Sequence, residues 1–125
     1  MICGSGVDLC EVERIKDAIG RHGPRFVARI FTAREIAYVE SKANSFERFA
    51  ARFAAKEAGM KALGTGWSRG VAWRDFEVVN LPSGRPTLRL HGKAAEIAKE
   101  LGVSHIALSL THTKDQALAI VTFES

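Results

Sequence analysis

Hydrophobic residues in the middle of the chain fall three, four or seven positions apart, along one helical face: Phe46, Phe49, Phe53, Met60 and Leu63. That spacing predicts one long helix with an apolar stripe. Asn44, with Glu47 three residues on, is placed to cap its start, and the glycines of Gly64-Thr65-Gly66 to end it. Glu57 falls inside the stripe, where a carboxylate is out of place. Upstream, Val12, Ile15 and Ile19 share a helical face that ends at His22-Gly23-Pro24, because glycine and proline both oppose continuation. Residues 25–31 predict a short helix resting on Phe26, Ile30 and Phe31. Thr32 and Glu35 have the form of a capping box and start a further helix running to about Ser41.

Elsewhere the period is two. In residues 2–10, Val7 and Leu9 point one way, while Gly4, Gly6, Asp8 and Cys10 point the other. Residues 74–80 and 86–91 predict short strands around the turn 81–86. Residues 93–102 read as a helix closed by Gly102. Ile106, Leu108 and Leu110 alternate with Ala107, Ser109 and Thr111 in a half-buried strand. A turn at 113–116 then leads to a last strand, 117–123. Helices first, then antiparallel strands with one helix among them, make an α+β fold.

Composition narrows the function. A chain of 125 residues suits one compact domain over 1–125. Its 46% hydrophobic and 26% charged residues are ordinary for a globular protein. No apolar run is long enough to span a membrane, and none reads as an export leader. Cys3 and Cys10 match no zinc spacing and are expected to be reduced thiols. The net charge of +4 is unevenly placed: Arg14, Lys16, Arg21, Arg25, Arg29 and Arg34 crowd the first third. Such a patch suits an acidic partner or a solvated helix face. A nucleic-acid partner is disfavoured, since no aromatics are interleaved with the basic residues.

Glu57 allows two readings. It can pair with Lys61 one turn on, or with an arginine, leaving Asp8 to cap the next helix. Alternatively Asp8 and Glu57 hold a divalent cation, and two carboxylates plus waters and phosphate oxygens make a typical magnesium set. On this second reading Gly4 and Gly6 leave room beside Asp8, and Lys61 meets the phosphates as a point charge. The basic stripe Arg48, Arg52, Lys56 either holds an anion or keeps the helix soluble, and spacing alone prefers solubility. Residues 64–70 lack the form of a nucleotide phosphate loop and follow a helix, so they read as a C-cap whose backbone amides remain open to a ligand. A lone histidine such as His112, at a strand end, is more often structural than catalytic.

Three stretches together carry a resemblance. GVDLCEVERI (6–15), RFAAKEAGMKALGTG (52–66) and SLTHTKDQALA (109–119) occur in this order across nearly the whole chain. They resemble the holo-acyl-carrier-protein synthase family of small 4′-phosphopantetheinyl transferases, with the central motif F-A-x-K-E-A-x-x-K-A falling on Phe53 to Ala62. The resemblance implies a fold of helices packed on a small antiparallel sheet. It also implies transfer of the phosphopantetheine arm of coenzyme A to a serine of an apo acyl carrier protein, with release of adenosine 3′,5′-bisphosphate, in cytoplasmic fatty-acid synthesis. Mg²⁺ ligands would fall on Asp8 and Glu57, and the catalytic lysine on Lys61. Coenzyme A contacts would fall on Arg52, Lys61, Gly66 and His112, and docking of the acidic carrier on Arg14, Arg21 and Arg25. The family works as a homotrimer with sites between subunits. Larger relatives carry a third acid two residues after the aspartate. Here that residue is Cys10, a poor magnesium ligand, so the expected site has two carboxylates. A non-catalytic binder of coenzyme A or carrier is the alternative, and a paired metal site argues against it.

Overall fold

Small residues make helix α4 (Ser45–Leu63) thin enough for strands to close on it from two sides. In a computed structural model describing residues 1–125, its Ala50, Ala51, Ala54, Ala55, Ala58 and Ala62 are all buried. The predicted apolar stripe is only part of this packing. Phe49, Met60 and Leu63 are buried, Phe53 is half-buried, and Phe46 lies 37% exposed at the edge. A helix buried nearly all round loses the one-sided pattern from which its orientation would be read.

The preceding elements are β1 (Ile2–Glu11), α1 (Val12–His22), α2 (Pro24–Ile30) and α3 (Ala33–Glu40). Gly23, at φ 61°, makes the predicted break between α1 and α2. The capping box forms: Thr32 accepts from the Glu35 amide, and Glu35 accepts from the Thr32 amide. The expected cap at Asn44 does not form. Asn44 is left-handed (φ 58°, ψ 49°) and its side chain caps nothing. After α4 come a 3₁₀ turn (Trp73–Asp75), β2 (Phe76–Asn80), β3 (Pro86–Leu90), α5 (Gly92–Glu100), β4 (His105–His112) and β5 (Gln116–Glu124). Arg74 and Asp75, expected in a strand, belong to the 3₁₀ turn, where Asp75 Oδ2 accepts from the Ala72 amide at 3.1 Å.

The strands form an antiparallel sheet in the order β1-β5-β4 and a separate hairpin, β2-β3. On the inner face of the larger sheet, Ala117, Ala119, Val121 and Phe123 are buried with Gly6 and Cys10 of β1. Gly4 and Gly6 do not leave room for a ligand, as their position beside Asp8 suggested. A Cβ on Gly4 would land on the Ala62 carbonyl, and one on Gly6 on the Ala58 carbonyl. The backbone of α4 fills that space. Gly6→Ala should therefore cost about 2 kcal/mol or more in thermal unfolding, because a helix backbone must move. Gly20→Ala in exposed α1, where nothing lies within 4 Å, should raise stability by up to about 1 kcal/mol. Equal melting shifts in the two variants would contradict this packing.

With the glycine side of β1 packed inward, its apolar side faces out. Val7 pairs with Ile120 and Leu9 with Leu118 across the strands. Val7, Leu9 and Ile120 remain 52%, 56% and 43% exposed. No helix of the chain is long and apolar enough to cross a membrane.

Candidate active site

Asp8 lies near the end of β1, opposite Ala119, on the face that meets α4. Lys61, in the last turn of α4, donates to Asp8 Oδ1 at 3.2 Å and to the Val7 carbonyl at 3.0 Å. Glu57, one turn earlier, is half-buried and has no ion pair or hydrogen bond of its own. Lysine thus pairs with Asp8 rather than with Glu57, contrary to the purely structural reading of the sequence. Burial raises the Glu57 carboxyl above its ordinary value, and repulsion from Asp8 adds to this. Lys61 and Arg14 pull the other way. The Asp8, Lys61 and Arg14 charges thus each act on the Glu57 carboxyl.

This donor set suits a hard cation. It comprises two carboxylates, one of them held near a like charge without a partner. No third His, Cys, Asp or Glu completes a metal-binding group. Cys10, two residues after Asp8, is 2% exposed, and its thiol is pushed up to about 11, first by burial and then by Asp8. A buried thiol is in any case a soft donor and a poor match for a hard cation. The residues fit Mg²⁺ with two protein ligands and leave the remaining positions to water or phosphate.

A second polar site lies on another side of α4. Arg52 is 5% exposed, and its Nε is buried with no partner. The guanidinium packs on the Tyr38 ring (4.3 Å to the centroid), and its NH2 donates to Asn80 Oδ1 at 3.4 Å. No carboxylate pairs with it. A buried, unpaired arginine is costly unless an anion completes its hydrogen bonds. It lines a cavity of about 200 Å³ with Tyr38, Arg48, Asn80 and His112. His112 Nδ1 lies 3.4 Å from Glu47 Oε1. The sequence marked Arg52 and His112 but gave no reason to add Tyr38 and Asn80, which arrive from α3 and β2.

Lys56 departs furthest from expectation. The stripe Arg48, Arg52, Lys56 is not a solubilising face. Lys56 is fully buried, and its ammonium donates to Glu35 Oε1 (2.7 Å), the Phe76 carbonyl (2.7 Å) and the Trp73 carbonyl (3.3 Å). Burial pulls its pKa below the ordinary lysine value, and Glu35 opposes this. The one sequence signal was its place directly after Ala54 and Ala55, in a helix whose other residues are largely small and apolar. Gly64 makes the expected left-handed C-cap at φ 80°. The amides of Gly64, Thr65 and Gly66 all donate to the Met60 carbonyl, at 3.1, 3.2 and 3.3 Å. They are not open to a ligand, so Gly66 would admit one through its lack of a side chain.

Residues 4–121 match the family model described as the 4′-phosphopantetheinyl transferase superfamily. The chain belongs to that superfamily. It is 63% identical over its full length to a holo-[acyl-carrier-protein] synthase of Solibacter usitatus, which is also covered completely. The crystal structure of a holo-[acyl-carrier-protein] synthase from Neisseria meningitidis superposes with a TM-score of 0.92 at 32% identity, each chain covered fully. That of a Bacillus anthracis homologue, in complex with CoA (3′,5′-ADP), superposes with a TM-score of 0.82 at 35% identity, covering 100% of this chain and 98% of that one. The α+β architecture is therefore that of the holo-[acyl-carrier-protein] synthase group, and the chain is a transferase.

Proposed function

We propose that this transferase is a cytoplasmic, Mg²⁺-dependent holo-acyl-carrier-protein synthase of fatty-acid biosynthesis, its one catalytic domain spanning residues 1–125. It moves the 4′-phosphopantetheine group of coenzyme A to a serine of an apo acyl carrier protein. The serine oxygen forms a new bond to phosphorus, the phosphoanhydride bond breaks, the serine gives up its proton, and adenosine 3′,5′-bisphosphate leaves. The observation that carries this reading is the partnerless Glu57 carboxylate beside Asp8 and Lys61. Asp8 and Glu57 hold the Mg²⁺, which when bound neutralises the diphosphate under attack and the departing phosphate. Lys61, its side chain 52% exposed, swings its ammonium from Asp8 to the phosphate oxygens. The Arg52 cavity, with His112, takes a second phosphate of coenzyme A, and Gly66 lets the co-substrate pass close to the backbone.

Arg52 and Glu57 are five residues apart, so their side chains leave α4 about 140° apart. One coenzyme A molecule cannot easily span both from a single chain. Sites shared between copies resolve this, and the outward face of Val7, Leu9 and Ile120 offers an apolar surface for a second copy. The family resemblance makes that assembly a homotrimer. Arg14, close enough to affect Glu57, joins Arg21 and Arg25 in a basic surface on α1 and α2 that steers the acidic carrier to the site. No nucleic acid or membrane takes part.

Mass spectrometry of an apo carrier incubated with coenzyme A and this protein tests the reading. A gain of about 340 Da with Mg²⁺, absent in excess chelator, is expected for metal-assisted phosphoryl transfer. No gain with several carriers would leave a binding protein rather than a transferase for this substrate.

A further inference from the structure

Lys56 and Glu35 form an ion pair with both side chains at 0% exposure, and no step of the proposed reaction uses them. A pair so completely removed from water stabilises little by itself, since desolvation offsets attraction, and apolar replacements are often tolerated. Its value lies in direction. The Lys56 ammonium has three acceptors on two different segments: Glu35 on α3, and the Trp73 and Phe76 carbonyls leading into β2. Glu35 is itself fixed three ways, with Oε1 accepting from the Thr32 amide at 2.9 Å and Oε2 from the Val78 amide at 2.9 Å. Beside it, Thr32 donates to Glu77 Oε2 at 2.6 Å, which ties α3 to β2 again. The neighbouring contacts of α4 set how closely it lies: Gly59 brings the helix against Phe76 and Leu88, and Gly4 and Gly6 bring β1 against the backbone of Ala62 and Ala58. The Lys56 hydrogen bonds add direction to that close packing.

We propose that the buried Lys56–Glu35 pair sets the roll of α4 about its axis and thereby positions the carboxylate of the adjacent Glu57 toward Asp8. Successive side chains leave a helix about 100° apart, so anchoring Lys56 toward α3 and β2 directs Glu57 toward the β1 side. Lys56 and Glu35 are positioning residues and touch no reacting atom. The inference rests on Glu57 being a metal ligand, and its test separates the two ideas.

The probe is Mn²⁺ binding followed by electron paramagnetic resonance, with coenzyme A present and no carrier, so no turnover occurs. The wild-type protein should bind Mn²⁺, and Glu57→Gln should not. The double variant Lys56→Met/Glu35→Gln removes both charges while keeping size and the capping glutamine form, so it should fold. It should bind Mn²⁺ about tenfold or more weakly, as displaced supporting groups usually cause. Transfer should recover as metal is raised, while KM for the carrier stays unchanged. Lys56→Arg keeps the charge but not the three-acceptor fit, and should shift Mn²⁺ affinity in the same direction by a smaller factor. Wild-type affinity in either folded variant, with loss in Glu57→Gln, overturns the positioning role alone. Retained binding in Glu57→Gln overturns the metal assignment and the inference with it.

Discussion

Glu57→Gln should lose transfer by about a thousandfold or more and yet melt at a higher temperature than the parent protein at neutral pH. The loss follows from removing one of the two carboxylates proposed to hold Mg²⁺. The gain follows from the carboxyl's raised pKa, which burial and the Asp8 charge produce. With its folded value above the ordinary 4.5, the native state holds the Glu57 proton more tightly than the unfolded chain does. Stability from this group is therefore fully present at low pH and falls as pH rises through the range between the two values. Glutamine resembles the protonated acid, so it removes the penalty above that range and changes nothing below it. Melting curves of parent and variant should converge as pH falls below the ordinary carboxylate value and separate toward neutrality. Sites tuned for function commonly trade stability in this way. A variant less stable than the parent at neutral pH would mean that Glu57 has a structural cation partner. Adding Mg²⁺ to coenzyme A should stabilise the parent beyond coenzyme A alone, and this metal-dependent increment should be missing in the variant, by mass action on the folded state.

The legible parts of this chain were those where one local rule acts alone. The capping box at Thr32 and Glu35, the break at Gly23-Pro24 and the C-cap at Gly64 follow from backbone chemistry within a few residues. Alternation placed β4 and β5 correctly, because one face of each meets α4. Asp8 and Glu57 stood out because each is a carboxylate at a position where its neighbours are apolar or small. What stayed hidden depended on contacts from far along the chain. Lys56 looks like a surface lysine until Glu35 and the Phe76 carbonyl arrive from 21 and 20 residues away. Asn80 reaches Arg52 from 28 residues on. Gly4 and Gly6 were read as space for a ligand, whereas the space admits a helix backbone that no pattern in β1 could reveal. Asn44 has the composition of an N-cap but takes the left-handed conformation instead, which asparagine tolerates better than most residues.

A mixture of two impaired variants should transfer faster than either does alone. Glu57→Gln lacks a carboxylate of the proposed metal site. Arg52→Met keeps the aliphatic volume against Tyr38 but lacks the guanidinium of the proposed second phosphate site. Losing a charged hydrogen-bond donor there should weaken coenzyme A use by about 10- to 100-fold at low co-substrate. If each site took both residues from one chain, every chain in the mixture would remain defective and activity would stay at the level of Arg52→Met alone. If Glu57 comes from one copy and Arg52 from its neighbour, as their 140° separation about α4 indicates, mixed oligomers contain repaired sites. In such a site the Arg52→Met copy supplies Glu57 and the Glu57→Gln copy supplies Arg52. Random assembly from equal amounts then yields about one intact site in four. Co-expression with two different tags, sequential purification on both and assay at low coenzyme A would read this directly. Val7→Lys, placed on the exposed apolar face of β1, should break the oligomer into smaller species and abolish complementation together. Activity in monomeric Val7→Lys at the parent level would return both half-sites to a single chain.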